Sequence, residues 1–285
     1  MKIIWKNKII DEQDIKVDMH DRGYQFGDGL YEVIFIYNGV LFTLEEHIDR
    51  FFVGAEKTEI AMPFSKSELA ELCKELVAVN NVKTGSVYLQ ISRGDGIARN
   101  HFFPDVVDST PVLSGFVREQ TRPIAKIENG IRAITVPDER WLKCDIKTIS
   151  LMGNVLAKNE GKKAGVEEVI QHRDGIVTEC GSSNLFIVKD GILYSHPDGN
   201  LILPGITKIV IFRVAAENGV TFKEEAFTLE ELFAADEVFL SSTTQELIPI
   251  VEIDGKQVGS GKRGPVTKQL HEHFVDAVEK TCGKI

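Results

Sequence analysis

The stretch that decides the fold is YEVIFIYNGVLFT, which spans residues 31–43. Two runs of aromatic and β-branched residues flank the pair Asn38-Gly39, and an Asn-Gly pair in that setting is typical of a β-hairpin. Three Asp-Gly pairs between β-like runs predict similar turns in the second half of the chain: Asp174-Gly175, Asp190-Gly191 and Asp254-Gly255. The sequence therefore predicts sheets that are largely antiparallel.

Helical patterns interrupt these strands along the chain. Three segments match the capping box of a helix N-terminus: Thr43–Glu46, Ser65–Glu68 and Thr228–Glu231. Further helices are predicted from about Ser150, from Gly205 to Gly219, and over the closing stretch PVTKQLHEHFVDAVEK. The predicted fold class is therefore mixed α/β (α+β). We place a domain boundary at the segment QTRP, giving a small N-terminal α/β domain of residues 1–120 and a larger C-terminal domain of residues 121–285.

Composition excludes several classes of partner and compartment. The formal net charge of −10 argues against nucleic acid and against an anionic membrane surface. The chain has no apolar run long enough to span a bilayer, and its N-terminal residues lack the pattern of a secretory signal. Its four cysteines are scattered without metal-binding spacing, so we expect reduced thiols, no metal site and a cytoplasmic protein: Cys73, Cys144, Cys180 and Cys282.

Two lysines lie in an apolar segment at a strand-to-helix transition. The segment WLKCDIKTISLMGN, residues 141–154, places Lys147 between Ile146 and Ile149, with Lys143 four positions earlier. An apolar setting disfavours the ammonium form of a lysine, which could then form a Schiff base and act as a general base. Most lysines are solvated surface charges, and the segment alone leaves both Lys147 and Lys143 open.

Three features are suited to phosphate, each with an ordinary alternative. Leu203–Thr207 opens a predicted helix, whose N-terminal N–H groups attract anions, although the segment taken alone favours a plain capped helix start. Ser241–Thr244 offers four hydroxyl groups at the end of a strand, where an N-cap cluster is the alternative. Arg50 is either a phosphate clamp or an exposed helix charge paired with Glu46.

Two further features are suited to other parts of a charged ligand. Glu179, in VTECGSSN, is either a solvated strand end or an acid beside the ring nitrogen of a pyridine cofactor. Arg99 and His101 are two positions apart, so their side chains face one way in extended chain and suit a carboxylate. Loops commonly carry Arg and His without such a role.

The order of these features along the chain resembles one family. The run DRGYQFGDGLYEV, residues 21–33, resembles the N-terminal signature of class IV aminotransferases and, within that class, of D-amino acid aminotransferases. The resemblance continues, in the family's order and over essentially the whole chain, through FTLEEHIDRF, RNHFFP, WLKCDIKTISLMGNVLAK, VTECGSSNLF, DGILYSHP, LPGIT and SSTTQE.

The resemblance implies a fold and a cofactor. The fold would be that of a fold-type IV enzyme, with pyridoxal 5′-phosphate in the cleft between two domains, and the protein would be a homodimer. Lys147 would form the aldimine with the cofactor, and Glu179 would pair with its pyridine nitrogen. The matching cofactor-binding positions are Arg50, Lys147, Glu179, Ser182, Leu203, Ile206, Thr207, Ser242 and Thr243.

The resemblance also implies a reaction and its stereochemistry. The enzyme would transfer amino groups between D-amino acids, such as D-alanine and D-glutamate, and 2-oxo acids. Tyr31, with Arg99 and His101 from the other subunit, would bind the substrate carboxylate so that the α-hydrogen of a D-amino acid faces Lys147. The alternatives are a branched-chain L-amino acid aminotransferase and an aminodeoxychorismate lyase, and the Tyr31, Arg99 and His101 combination argues against both.

The chain departs from the family pattern at two places. Cys180-Gly181-Ser182-Ser183 stands where D-amino acid aminotransferases have a Gly followed by three serines, so one hydroxyl group beside the cofactor is missing. The loop from Arg93 to His101 is about one residue longer than the family form and carries Gly96-Ile97. The longer loop can shift Arg99 and His101, so it bears on substrate range rather than on reaction type.

Overall fold

The computed structural model describes residues 1–95, 99–105 and 110–285. Their contacts divide the chain into two compact units. Unit 1 comprises Met1–Thr121, Ile146–Ser150 and Lys280–Ile285, and unit 2 comprises Arg122–Asp145 and Leu151–Glu279. Gly96 and Ile97, noted above in the lengthened loop, lie outside the described residues.

The described residues of unit 1 form a six-stranded sheet in which all neighbouring strands are antiparallel. The strand order is β2-β1-β6-β5-β3-β4. The hairpin predicted at Asn38-Gly39 is confirmed, since both residues have positive φ and join β3 to β4. The strands are β1 (Lys2–Trp5), β2 (Lys8–Asp11), β3 (Gly29–Tyr37), β4 (Val40–Leu41), β5 (Gly85–Asp95) and β6 (Thr110–Glu119).

Helices of unit 1 cover its sheet through a shared apolar core. Ile48 and Phe51 of α2 and Leu69 and Leu76 of α3 are buried with the apolar residues of β3 and β5. Their spacing of three positions in α2 and seven in α3 is that of one helix face. The helices are α1 (Arg22–Phe26), α2 (Leu44–Lys57) and α3 (Lys66–Asn80), and a 3₁₀ turn spans Glu12–Asp14.

Two of the three predicted capping boxes form. Ser65 and Thr228 each accept a hydrogen bond from the backbone of a glutamate three positions later, which bonds back to their own amide. The box predicted at Thr43 is wrong, because Thr43 adopts a left-handed conformation and its hydroxyl donates to the carbonyl of Phe42. A capping side chain reaches the first turn only from an extended backbone.

Unit 2, all of whose residues are described, contains a larger mixed sheet. Its strand order is β12-β11-β10-β13-β14-β7-β8-β9, and β15 pairs with β14. The pairs β14–β7, β7–β8 and β11–β12 are parallel, so the largely antiparallel prediction holds for the other neighbours only. The strands are β7 (Ile131–Pro137), β8 (Glu168–Arg173), β9 (Ile176–Cys180), β10 (Asn184–Lys189), β11 (Ile192–Ser195), β12 (Phe222–Glu224), β13 (Glu237–Ser242), β14 (Glu246–Ile253) and β15 (Lys256–Gln257).

The turns and helices of unit 2 include those that the sequence predicts. The three Asp-Gly turns have positive φ at both residues, as two-residue hairpin turns require. The mixed α and β class is therefore confirmed. The helices are α4 (Ile124–Asn129), α5 (Met152–Ala164), α6 (Ile206–Glu217), α7 (Leu229–Phe233) and α8 (Pro265–Cys282), and the last three residues of α8 belong to unit 1.

The predicted domain limits at residues 120 and 121 stay a prediction. Contacts within the chain assign two segments of the predicted C-terminal domain to unit 1, namely Ile146–Ser150 and Lys280–Ile285. Ile146–Ser150, which includes Lys147, belongs to unit 1, although the sequence predicts Lys147 in the C-terminal domain. The physical reason is backbone pairing, because Leu30 of β3 and Thr148 form an antiparallel bridge.

Within the described residues, no helix is long and apolar enough to cross a membrane. The same residues contain no cluster of three or more His, Cys, Asp or Glu side chains that could hold a metal ion.

Two segments that look alike in sequence are expected to respond differently to mutation. Ser65→Ala removes a capping hydrogen bond, so the free energy of unfolding should fall by about 1 kcal/mol. Thr43→Ala removes no cap, so its effect should stay within about 0.5 kcal/mol. Urea unfolding of both variants at one protein concentration checks this, and an equal loss in the two would contradict the assignment.

Candidate active site

Lys147 is fixed against the start of β3 by backbone hydrogen bonds. The amide of Tyr31 donates to the carbonyl of Lys147 at 3.0 Å, and the amide of Ile149 donates to the carbonyl of Gly29 at 3.1 Å. Gly29 is required at this crossing, because a Cβ atom there would collide with the carbonyl oxygen of Ile91. These bonds place Lys147 directly beside Tyr31.

The structure separates the two lysines that the sequence left open. The Nζ atom of Lys147 lies 4.2 Å from the ring centroid of Tyr31, and the Lys147 side chain is half-buried. Lys143 is exposed, as expected for a solvated surface charge. The position of Lys147 therefore favours it as the reactive amine.

Arg50 is held by a buried carboxylate rather than exposed on its helix. Its guanidinium donates to both oxygens of Glu32, at 2.7 and 2.8 Å, and its side chain is only 11% exposed. His47 Nδ1 lies 2.8 Å from the same carboxylate. Burial opposes the charge on Glu32, but Arg50 and His47 hold the pKa of Glu32 well below its usual range. A bidentate pair of this kind fixes the plane of the guanidinium.

Arg99 and His101 are exposed and both contact the ring of Phe26. The guanidinium carbon of Arg99 is 4.6 Å from the ring centroid, and the ring of His101 is 5.4 Å away in an edge contact. Tyr31 has different neighbours, because it stacks on Tyr88 and lies beside Lys147.

Glu179 is buried in unit 2 and carries three hydrogen bonds. Arg140 donates to one carboxylate oxygen. The side-chain amide of Asn184 and the backbone amide of Leu203 donate to the other, at 3.1 and 3.2 Å. The alternative of a solvated strand end is therefore wrong for Glu179.

The cation beside Glu179 is itself fixed. Burial opposes the charge on Arg140, but hydrogen bonds to Asp138 and the charge of Glu179 raise the pKa of Arg140 above its usual value. Asp138 receives two bonds from this guanidinium, at 2.9 and 2.8 Å. A permanent positive charge that is hydrogen-bonded to Glu179 favours the carboxylate form of this residue.

The start of α6 leaves backbone donors available. Gly205 is the N-cap of α6 and supplies no capping side chain, so the first-turn N–H groups at Ile206 and Thr207 have no intrahelical acceptor. A Cβ atom on Gly205 would collide with the side-chain oxygen of Asn184. Gly205 thus permits Asn184 to approach, and Asn184 links the start of α6 to Glu179.

The last two residues predicted to bind the cofactor, Ser242 and Thr243, lie at the end of β13 and in the turn that follows it. Ser242 pairs with Glu246 across this hairpin, and the buried hydroxyl of the preceding Ser241 has no hydrogen-bond partner within the described chain. Glu246 has a φ of 54° and binds Arg122 at 2.6 and 2.9 Å. His271 lies 2.8 Å from the same carboxylate.

Every residue proposed for the site falls in a described part of the chain. Sequence reasoning missed Glu32, Arg140, Asn184 and Glu246. The signal for Glu32 was available, because an acid inside an apolar strand must be paired when it is buried. Unit 1 contains Tyr31, Arg50, Arg99, His101 and Lys147, whereas unit 2 contains Glu179, Ser182, Leu203, Ile206, Thr207, Ser242 and Thr243.

The departure at Cys180 leaves a thiol that is fully buried. Burial raises the pKa of Cys180 well above its usual value. Ser182 is exposed, and Ser183 is buried with its hydroxyl 3.5 Å from Glu168. Cys180 is therefore a neutral buried thiol, and Gly181, which stands where the family has the first of its three serines, supplies no hydroxyl group.

Residues 29–253 match the family model described as amino-transferase class IV. The chain belongs to the class IV aminotransferases. A D-alanine aminotransferase of Listeria monocytogenes is 50% identical over 285 residues, covering 100% of this chain and 99% of that protein. One from Staphylococcus haemolyticus is 47% identical over 278 residues, with 98% of each chain covered.

Solved structures of class IV relatives share the fold. A branched-chain amino acid aminotransferase of Escherichia coli has a TM-score of 0.91 and 27% identity, covering 96% of this class IV chain and 93% of that chain. The branched-chain aminotransferase of the archaeon Thermoproteus uzoniensis, solved with norvaline, has a TM-score of 0.88 and 28% identity. The match covers 100% of this chain and 95% of that one.

Glu246 is expected to make stability depend on pH. Burial opposes its charge, but hydrogen bonds from Arg122 and His271 lower the pKa of Glu246 from 4.5 to about 2. Its stabilising contribution is therefore full above 4.5 and lost as the pH falls to about 2. Glu246→Gln should reduce the free energy of unfolding by about 3 kcal/mol at pH 7, because a buried pair is broken.

Urea unfolding at several pH values measures this difference between the wild type and Glu246→Gln. The difference should shrink below pH 4.5, where Glu246 of the unfolded chain begins to take up a proton while Glu246 of the folded protein stays ionised down to about 2. Glu160→Gln, which removes an exposed ion pair with Lys163, is the matched control and should change stability little at any pH. A difference that is independent of pH would contradict the assignment.

Proposed function

We propose that this class IV aminotransferase transfers amino groups between D-amino acids and 2-oxo acids with pyridoxal 5′-phosphate as its cofactor. The carrying observation is the 50% identity over the full length with the D-alanine aminotransferase of Listeria monocytogenes. The branched-chain enzymes named above share the fold at only 27% and 28% identity. Tyr31, Arg99 and His101, which distinguish the D-specific pattern, are all present.

The chemistry of the donor set fits pyridoxal phosphate. Lys147 offers an amine for the aldehyde, and Glu179 offers an ionised carboxylate for the ring nitrogen. Leu203 would lie against the ring, and Ser182 would be a further cofactor-binding position. When bound, the cofactor supplies an electron sink that stabilises negative charge at the substrate α-carbon. The phosphate would be held by Arg50, the first turn of α6 at Ile206 and Thr207, and the hydroxyl groups of Ser242 and Thr243.

Charge on the protein side supports this assignment. Glu32 fixes the plane of the Arg50 guanidinium, which keeps this cation at one place in unit 1 and supports its assignment to the phosphate. Arg140 favours the carboxylate form of Glu179, and an ionised Glu179 keeps a proton on a pyridine nitrogen. The amine of Lys147 would be the base that removes the α-proton of the substrate and then the acid that delivers a proton to the C4′ carbon of the cofactor, before hydrolysis releases the 2-oxo acid.

Substrate handedness would come from the carboxylate contacts. We propose that Tyr31 binds the α-carboxylate together with Arg99 and His101 of the partner subunit in a homodimer. The carboxylate would then orient the α-hydrogen of a D-amino acid toward Lys147. We place the enzyme in the cytoplasm.

A substrate panel tests the proposed reaction. The purified protein with pyridoxal phosphate is assayed with D-alanine, D-glutamate and L-leucine, each with a 2-oxo acid acceptor. We expect turnover of D-alanine with 2-oxoglutarate, giving pyruvate and D-glutamate. Turnover of L-leucine alone would support the branched-chain alternative. Release of pyruvate from aminodeoxychorismate without an acceptor would support the lyase.

Replacing each of the two lysines by alanine, in separate variants, tests which of them is the reactive amine. Lys147→Ala should abolish the absorbance band of lysine-bound pyridoxal phosphate and lower kcat by at least about 10²-fold, since the general base is lost. Lys143→Ala removes an exposed lysine four positions away and should leave both unchanged. Full activity of Lys147→Ala would refute its assigned role.

A further inference from the structure

One buried carboxylate in the N-terminal signature holds two arginines. Asp28 Oδ2 accepts a hydrogen bond from Nε of Arg22 and another from Nε of Arg93, each at 2.8 Å. Both arginine side chains are almost fully buried, and Asp28 is 12% exposed. Buried cations need such a partner, so Asp28 determines where both guanidinium groups lie.

The outer nitrogens of the arginines bind other segments of unit 1. Arg93 donates to the carbonyls of Glu59 and Thr58 at 2.8 and 2.7 Å, just after α2 ends. The nitrogen Nη1 of Arg22 donates to the carbonyl of Asn100 at 2.7 Å. Asn100 lies between Arg99 and His101. Arg22 thus connects Asp28 directly to the backbone of the proposed carboxylate-binding loop.

Aromatic rings complete the attachment of this loop. Phe26 contacts Arg99 and His101, as described above, and the guanidinium of Arg22 lies 4.7 Å from the same ring centroid. The guanidinium of Arg93 lies 3.7 Å from the ring centroid of Phe103. A cation against an aromatic face is an attractive contact that also restricts both groups.

We infer that Asp28 is a positioning residue for substrate binding, which acts through Arg22 and Arg93 on the loop that carries Arg99 and His101. This rests on the proposed function, in which Arg99 and His101 bind the substrate carboxylate. An exposed arginine on an unsupported loop would lose much side-chain freedom when it binds an anion. The contacts of Asn100 and Phe26 fix the loop beforehand and reduce that loss.

A positioning role for Asp28 predicts a particular kinetic change. Contacts to the substrate carboxylate are made in the ground state and in the transition state alike, so their loss raises KM more than it lowers kcat. Both the D-amino acid and the 2-oxo acid carry this carboxylate. KM for both substrates should therefore rise together when Asp28 no longer holds the arginines. A purely structural role would lower kcat or the yield of active enzyme and leave KM unchanged.

The test uses Asp28→Asn in the holoenzyme, with steady-state kinetics for D-alanine and 2-oxoglutarate. We expect KM for both to rise about tenfold, a size typical of a misplaced positioning group, with kcat changed less than about threefold. The absorbance of lysine-bound pyridoxal phosphate should be unchanged. An unchanged KM for either substrate would overturn the inference.

Asp21→Asn is the matched control in the same signature. Asp21 is also buried, but it accepts bonds from the amide of Gly23 and the hydroxyl of Ser92, and neither bond involves the loop. Asparagine keeps the capping acceptor, so both KM values should stay near wild type. A rise in KM equal to that of Asp28→Asn would also overturn the inference.

Phe26→Leu provides a second variant should Asp28→Asn fold poorly. It removes the ring beside Arg99 and His101 but retains the ion pairs of Asp28, and the same paired rise in KM is expected. If the wild type itself does not turn over D-alanine, the proposed function fails. If the wild type is active and Asp28→Asn keeps its KM values, the inference alone fails; Phe26→Leu with wild-type KM values has the same meaning where Asp28→Asn does not fold.

Discussion

The constraint on which this molecule depends is that a buried charge must be paired with an opposite one. Four buried or nearly buried carboxylates each hold at least one arginine. Each pair fixes a residue or segment that has a role in the proposed reaction. These are Arg50, which would hold the phosphate, the loop that carries Arg99 and His101, Glu179, which would bind the ring nitrogen, and the turn after β13 that carries Ser242 and Thr243. The pairs are Glu32–Arg50, Asp28–Arg22 with Arg93, Glu179–Arg140 and Glu246–Arg122.

Features set by neighbouring residues could be predicted from the sequence. The Asn38-Gly39 and Asp-Gly turns form because their conformation depends on two residues and the strands beside them. The capping boxes at Ser65 and Thr228 are equally local. Thr43 shows the limit of this reasoning, since it has the same pattern but is left-handed after β4. The backbone conformation of Thr43 depends on the hairpin before it, so the four-residue pattern alone does not predict it.

The partners of the site residues could not be predicted in the same way. Glu32 and Arg50 are 18 positions apart, Arg140 and Glu179 are 39 apart, and Arg122 and Glu246 are 124 apart. The resemblance to a family named the positions expected to touch the cofactor, but not the residues that orient them. An acid in an apolar strand indicates that a cation lies nearby. Only the folded chain determines which arginine that is.

The segment Ile146–Ser150 pairs with β3 while the chain on both sides of it belongs to unit 2. The C-terminal residues also return to unit 1, where the side-chain amide of Asn38 binds the carbonyls of Cys282 and Lys284. Unit 1 is therefore assembled from three pieces of sequence, and no single cut separates the two units. Neither unit can therefore be excised or replaced as one continuous segment, and a cut on either side of residues 146–150 would part Lys147 from the chain of one unit or the other.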